Sequence, residues 1–310
     1  MNIYISDIQE NYSSWLKKYL SNFFVAKWFN VINQDLLLTP DLIISLWYDQ
    51  IIELSSRYPN AKIIIIDFHM LWGINEWDVI IKYLSGANIK ILSCFHNFKY
   101  LYENFWLSDR LEFINFAIDF EYKNSINFSK ENLLEDTILI PWKHRRDYDL
   151  LFQSIAELES IWYFLKFRII DWGLSLDSFE KLKTKYWVKS LIKHDQDMEF
   201  HKFISELNKY KLVLLPLKNE RNICNWLTMF ACLMHMWKTL VTNFNLTTSP
   251  FLENWENCLC SKSDWKEIAK MIKMLVDHPK LSEQISNRAY AYAIENFSFE
   301  KLANKIYWLI

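Results

Sequence analysis

A polypeptide needs glycine wherever its backbone must take a positive φ or approach another group closely. This chain has almost none: 3 Gly stand against 15 Trp in 310 residues. Ordinary usage would supply about 20 Gly. Residues that turn the chain must therefore be sought among the other side chains, and tryptophan, the bulkiest, is the one in excess.

The apolar runs alternate with amphipathic segments, which is the mark of strands and helices in a parallel sheet covered on both faces. Strands are expected at Asn2–Ile5, Leu42–Ser45, Lys62–Asp67, Lys90–Ser93 and Leu111–Ile114, with helices between them such as Tyr12–Asn22 and Trp77–Leu84. Glu121–Thr137 is polar, lacks an apolar period and reads as a connection between domains. The pattern restarts with strands at Ile138–Pro141, Phe164–Ile170, Val188–Ile192, Leu212–Leu215 and Thr239–Val241. Helices are expected at Asp147–Ser160, Ser178–Tyr186, Asp197–Asn208, Leu227–Met236, Asp264–Val276 and Lys280–Glu295. The expectation is an α/β chain of two Rossmann-like, doubly wound domains, residues 1–125 and 136–310, facing a cleft. Ligands then bind at the C-terminal ends of the strands.

Charge and composition exclude several classes. A formal net charge of −2 with 23% charged residues speaks against disorder and against a nucleic-acid-binding surface. The five cysteines (Cys94, Cys224, Cys232, Cys258, Cys260) are scattered without zinc spacing and read as reduced thiols. The first residues lack a basic region followed by an apolar run, and no stretch is long enough to span a membrane. A cytoplasmic protein is expected.

Two segments have the makings of an anion site. Asn225–Trp226–Leu227–Thr228 lies between a strand end and a helix start, where unpaired N–H groups and the helix dipole favour a pyrophosphate. Taken alone, Thr228 is an ordinary helix cap. Lys143, Arg145 and Arg146 follow the strand Ile138–Pro141, and cations at a strand end can neutralise a leaving diphosphate. A solvated basic cluster is the plainer reading of such a run. His69 and His96 follow strands of the first half and are candidates to orient an acceptor or sugar, although a lone His in an aromatic setting is more often structural. His235 lies among apolar helix neighbours and reads as packing.

Five segments occur in an order that resembles retaining, GT-B-fold glycosyltransferases of the group 1, family 4-like kind. They are Asn104–Asp119, Ile138–Tyr148, Leu212–Leu217, Asn225–Leu259 and Glu295–Lys301. The resemblance covers Leu101 to the C-terminus and is weak before it, where the first domain looks shortened and divergent. It implies a nucleotide-sugar donor held by the second domain through Lys143, Arg145, Arg146, Asn225, Trp226, Leu227 and Thr228, and an acceptor, glycan or lipid-linked, on the first domain beside His69 and His96. It implies no cofactor beyond the nucleotide-sugar co-substrate and no metal, because cations and a helix terminus carry the diphosphate charge. Contact with the inner membrane face is compatible with such an acceptor, and the C-terminal helix is expected to return to the first domain. At the ribose-side position the family usually has Glu; here it is Cys232, which cannot accept two hydroxyl hydrogen bonds as a carboxylate does.

Trp106, Trp142, Trp226, Trp237 and Trp255 stand where that family has Gly, and Trp28, Trp162 and Trp187 fit the same pattern. Drift does not repeatedly replace the smallest residue by the largest, whereas reading UGA as tryptophan in a lineage that means glycine by it does. A Trp-rich protein from an AT-biased gene is the competing explanation. Two further functional readings stand beside transfer. One is a degenerate GT-B module that binds or scaffolds a partner. The other is a nucleotide-sugar epimerase on the same frame.

Overall fold

The computed structural model describes residues 1–6, 11–32, 38–46, 50–67, 88–94, 103, 107–115, 136–141, 146–171, 174–195, 198, 200–218, 227–244 and 249–310. These divide into two compact units, Met1–Asp119 with Asn296–Ile310, and Phe120–Glu295.

The first unit is built on six parallel strands: β1 (Asn2–Ser6), β2 (Asn30–Ile32), β3 (Leu42–Ser45), β4 (Lys62–Asp67), β5 (Ile89–Ser93) and β6 (Leu111–Phe113). Their order is β2-β1-β3-β4-β5-β6, a doubly wound sheet whose strand order reverses between β1 and β3. Every residue of β3 is buried, as are Ile63 to Asp67 of β4. That is why these strands are continuous apolar runs rather than alternating ones. Helices α1 (Asn11–Ala26) and α2 (Ile51–Arg57) belong to the same unit.

The second unit repeats the plan. Its strands are β7 (Thr137–Pro141), β8 (Lys166–Ile170), β9 (Ile192–Asp195), β10 (Leu212–Leu215), β11 (Thr239–Asn243) and β12 (Leu259–Ser261). Its helices are α3 (Tyr148–Ser160), α4 (Leu176–Lys185), α5 (Phe200–Asn208), α6 (Leu227–His235), α7 (Trp265–Asp277) and α8 (Pro279–Asn296). The sheet order is β12-β11-β10-β7-β8-β9, all parallel. Counted within the unit this is 6-5-4-1-2-3, the strand order of dinucleotide-binding sheets, with its reversal between β7 and β10. Phe152 and Ile155 of α3, Ile268 and Ile272 of α7, and Phe167, Leu214 and Val241 of the sheet share one buried core. Three of these helices start on side-chain caps: Asp147 Oδ1 accepts from Leu150 N at 2.9 Å, Ser175 Oγ from Ser178 N at 3.1 Å, and Asp264 Oδ1 from Lys266 N at 2.8 Å. Each fills one of the acceptor positions that a helix N-terminus leaves open.

The last helix, α9 (Phe299–Trp308), belongs to the first unit. Ser298 caps it. Phe299, Leu302, Ala303 and Ile306 are buried, and the Phe299 ring lies 5.5 Å from Tyr19 of α1. Tyr307 meets Phe23 and Phe29 edge-on at 6.5 and 6.1 Å. Lys62 donates to the Leu309 carbonyl, and Lys305 pairs with Glu112.

Three strands differ from expectation. β2 and β12 are three-residue edge strands, too short to show as apolar runs. β9 begins at Ile192 rather than Val188; Val188 is buried as the first residue after a helix-ending turn, while Leu191 is exposed. The expected helix Trp77–Leu84 lies outside the described residues, as do residues 121–135 of the expected connection.

Left-handed backbone falls on tryptophan. Trp28, Trp162, Trp187, Trp237 and Trp255 have φ of 67°, 60°, 56°, 52° and 71°, and Ser263 is the other described non-glycine at positive φ. The three glycines, Gly73, Gly86 and Gly173, lie outside the described residues.

Candidate functional site

In doubly wound sheets a ligand site lies where the strand order reverses, which in the second sheet is between β7 and β10. β7 ends at Pro141, and the chain returns as Arg146, which pairs antiparallel with Leu217 just beyond β10. Asp147 N donates to Pro216 O at 3.0 Å, so the start of α3 is fastened to the end of β10. Asn243, the last residue of β11, clamps the same point. Its Oδ1 accepts from Leu217 N at 2.7 Å, and its Nδ2 donates to Leu217 O and to Ser263 Oγ, each at 2.8 Å. Thr242 Oγ1 donates to Leu215 O at 2.7 Å. The ends of β7, β10 and β11 are thereby tied together, the first two through backbone and the last two through buried side chains.

Farther along the chain leaving β10, α6 begins at Leu227. The first four N–H groups of a helix lack intrahelical acceptors and carry the positive end of its dipole. Leu227 and Thr228 are the first two residues of α6, so both sit at that terminus, on the chain leaving the switch-point strand β10. Asn225 and Trp226, which precede them, lie outside the described residues.

Arg146 is at the same strand ends but turns inward. It is 2% exposed, and its Nε and Nη2 donate to Pro141 O at 3.4 and 3.2 Å. Burial pulls its pKa down to about 10, with Asp171 acting in the opposite sense. The guanidinium remains charged at neutral pH and adds fixed positive potential beneath the site. Lys143 and Arg145, in the loop between Pro141 and Arg146, lie outside the described residues.

Asp171 follows β8 and is buried; its N–H donates to Asp195 O at 3.1 Å. His194 stacks on Phe179 at 5.1 Å, and burial lowers its pKa against the pull of Asp171 and Asp195. Arg168 Nε meets Asp195 Oδ2 at 2.9 Å and its Nη1 meets Glu206 Oε2 at 2.7 Å. This second cluster braces β8, β9 and α5.

Cys232 lies on α6 and is half-buried. Burial pushes its thiol up to about 12, so it is neutral at any ordinary pH. His235 is buried, with Nδ1 2.6 Å from Ala231 O one turn back, and fills a packing position. Cys94, Cys232, Cys258 and Cys260 form no disulfide.

In the first unit His69 and His96 lie outside the described residues, on segments that leave the C-terminal ends of the adjacent strands β4 and β5. Between those ends sits a buried carboxylate: Asp67 Oδ2 accepts from Ser93 Oγ at 2.8 Å, and Cys94 Sγ donates to Asp67 O at 3.5 Å. Asp67, Asp171 and Asn243 were not singled out from the sequence. Each is a polar residue closing an apolar strand, and that position is the signal that could have found them.

No family model matches the chain, and no curated protein does. Its fold, however, is shared with solved structures. A glycosyltransferase from Rickettsia africae is similar over 99% of this chain and 97% of its own, at 13% identity and a TM-score of 0.69. HepE of Anabaena, solved with UDP and glucose, is similar over 99% and 98%, at 10% identity and a TM-score of 0.64. TarM of S. aureus, solved as a mutant with fondaparinux, α-GlcNAc-glycerol and UDP, is similar over 86% of this chain at 16% identity and a TM-score of 0.63. This chain spans about half of TarM, 54% of its length. The two parallel six-stranded sheets, with the second in nucleotide-binding order, are the α/β fold of these glycosyltransferases.

Proposed function

We propose that the protein is a glycosyltransferase that moves a sugar from a nucleotide donor to a glycan or lipid-linked acceptor, with retention at the anomeric carbon. The observation that carries this reading is the second sheet: its order reverses between β7 and β10, and α6 begins on the chain leaving β10. A nucleoside diphosphate placed there has its charge met by the α6 N-terminus at Leu227 and Thr228, by the preceding Asn225 and Trp226, and by Lys143 and Arg145. Arg146 contributes potential from below. The fold shared with UDP-bound HepE and TarM supports the same placement. In the transition state these groups stabilise the leaving diphosphate as the sugar–oxygen bond breaks, which is charge stabilisation by fixed donors and makes no demand on a metal ion. His69 and His96 serve the acceptor side in the first unit.

A lipid-linked acceptor would be met at a membrane surface; among the described residues no helix is long and apolar enough to cross a membrane.

The test is titration calorimetry with UDP and uridine, on the chain and on Trp226→Gly, with and without EDTA. Diphosphate binding that exceeds nucleoside binding, survives EDTA and weakens in Lys143→Ala and Arg145→Ala supports the reading. Equal affinities for UDP and uridine would remove the phosphate site. Retention is checked by NMR of the product anomer formed from UDP-glucose. Cys232 favours a second reading, a binding module without turnover, because a neutral thiol replaces the expected ribose acceptor. Tight UDP binding with no hydrolysis or transfer across a panel of sugars would select it.

A further inference from the structure

Four of the five left-handed tryptophans occupy one geometry. α1 ends at Ala26; Trp28 N then donates to Val25 O at 3.0 Å and Phe29 N to Phe24 O at 3.0 Å. α3 ends at Ser160, with Trp162 N to Glu159 O at 2.9 Å and Tyr163 N to Leu158 O at 2.9 Å. α4 ends at Lys185, with Trp187 N to Thr184 O at 3.2 Å and Val188 N to Lys183 O at 3.1 Å. α6 ends at His235, with Trp237 N to Met234 O at 3.2 Å and Lys238 N to Leu233 O at 3.1 Å. Each is the paired bonding of a Schellman helix stop, with tryptophan at the one position that must be left-handed and that is usually glycine. The fifth, Trp255, sits in the tight turn before β12 at φ 71°, its N–H donating to Cys258 O at 2.8 Å.

At three of these sites the indole stands in solvent, whereas the Trp237 ring stacks on Tyr290. Trp28, Trp162 and Trp187 are 96%, 85% and 83% exposed. Trp28, Trp162, Trp187 and Trp237 precede β2, β8, β9 and β11, so they lie at the N-terminal edges of the sheets, opposite the strand ends where a ligand binds. Trp15, Trp265 and Trp308 lie within helices and are not at positive φ. Among the described residues, tryptophan is thus found either in ordinary helix or at the positions that need glycine.

We propose that the protein made in its own cell carries glycine at 28, 162, 187, 237 and 255, each specified by a UGA codon that the cell reads as glycine. The indoles at these positions are then no carbohydrate or membrane platform, because the native chain lacks them. This inference is independent of the sugar-transfer reading, since it concerns helix stops that a binding module would share.

Two measurements test it. The gene is sequenced at the five codons, and the protein is purified from its native cells for peptide mass spectrometry. UGA at all five, with each spanning peptide lighter by the tryptophan–glycine difference, is expected. UGG codons, or peptides that carry tryptophan, would overturn it. Expression of the unaltered gene in a host that reads UGA as stop supplies a second readout: the product is expected to end no later than Lys27. Full-length protein from that host would equally overturn the proposal.

Discussion

Replacing the exposed tryptophans at the helix stops by glycine should stabilise the second unit, by an amount that follows from the backbone. A left-handed conformation costs an L-residue with a side chain about 1–2 kcal/mol. Glycine escapes that cost but holds more conformational freedom in the unfolded chain, which returns about 0.4–1 kcal/mol. The net gain is roughly 0.5–1 kcal/mol per site where the indole makes little contact, as at Trp162 and Trp187, which stand 85% and 83% exposed. Trp162→Gly/Trp187→Gly should therefore gain about 1–2 kcal/mol, and at about 2–4 °C per kcal/mol for a domain of this size its melting temperature should rise by about 2–8 °C. Trp237 is different: its ring stacks on Tyr290 with centroids 3.7 Å apart. Losing an aromatic pair costs about 0.5–1.5 kcal/mol, so Trp237→Gly should be close to neutral. Differential scanning calorimetry reads these shifts. Alanine is the control, because it removes the indole but keeps the Cβ that the left-handed turn resists. Asparagine, which tolerates positive φ better, should fall between. If Trp162→Ala and Trp187→Ala stabilise as much as glycine does, the indole and not the backbone is the cause, and the reasoning fails.

Three further outcomes are expected. Lys238 is buried, donates to Asn208 O at 2.9 Å, and has its pKa drawn down to about 7 by burial. Between there and the unfolded value of about 10.4 the unfolded chain holds a proton that the folded one releases, so stability rises with pH across that window. Lys238→Met should flatten the rise in urea titrations run from pH 6 to 10, and an unchanged slope would show that the ammonium reaches water. Asp264→Ala removes the cap of α7 and should cost about 1 kcal/mol by urea unfolding; no loss would mean that water replaces the carboxylate there. Cys232→Glu should tighten UDP binding by about tenfold in calorimetry, since a hydrogen bond to a charged group is worth about 1.5–3 kcal/mol. Unchanged affinity in a folded variant would place the ribose elsewhere.

The sheets were legible because parallel strands are buried on both faces, so they show as short apolar runs such as the isoleucine-rich Lys62–Asp67 or Leu212–Leu215. The edges were not. β9 reads Ile-Lys-His-Asp and has no wholly buried residue, so its polar face hid it, while Val188 drew the expected strand toward the helix end. Val188 is apolar for another reason: it follows the left-handed residue at the end of α4 and is buried in the core that also holds Phe179 of that helix. In the candidate site, the sequence located the strand end that bears Arg146 but not its direction. Nothing in the sequence signals that Arg146 turns inward, and that depends on Pro141 O being within reach at 3.2 Å.

The same limit explains why the helix stops were readable as sequence oddities before they were readable as structure. A helix in a doubly wound sheet must stop within a few residues and hand the chain to a strand, and a Schellman turn does this with one left-handed residue. The demand falls on the backbone, at a fixed place after each helix, whatever the side chain. A residue type recurring at that place with no shared neighbour, partner or depth of burial is being selected for its backbone alone. Exposure of Trp28 at 96% and stacking of Trp237 on Tyr290 have nothing in common except φ, at 67° and 52°. That common property is the one in which tryptophan and glycine differ most.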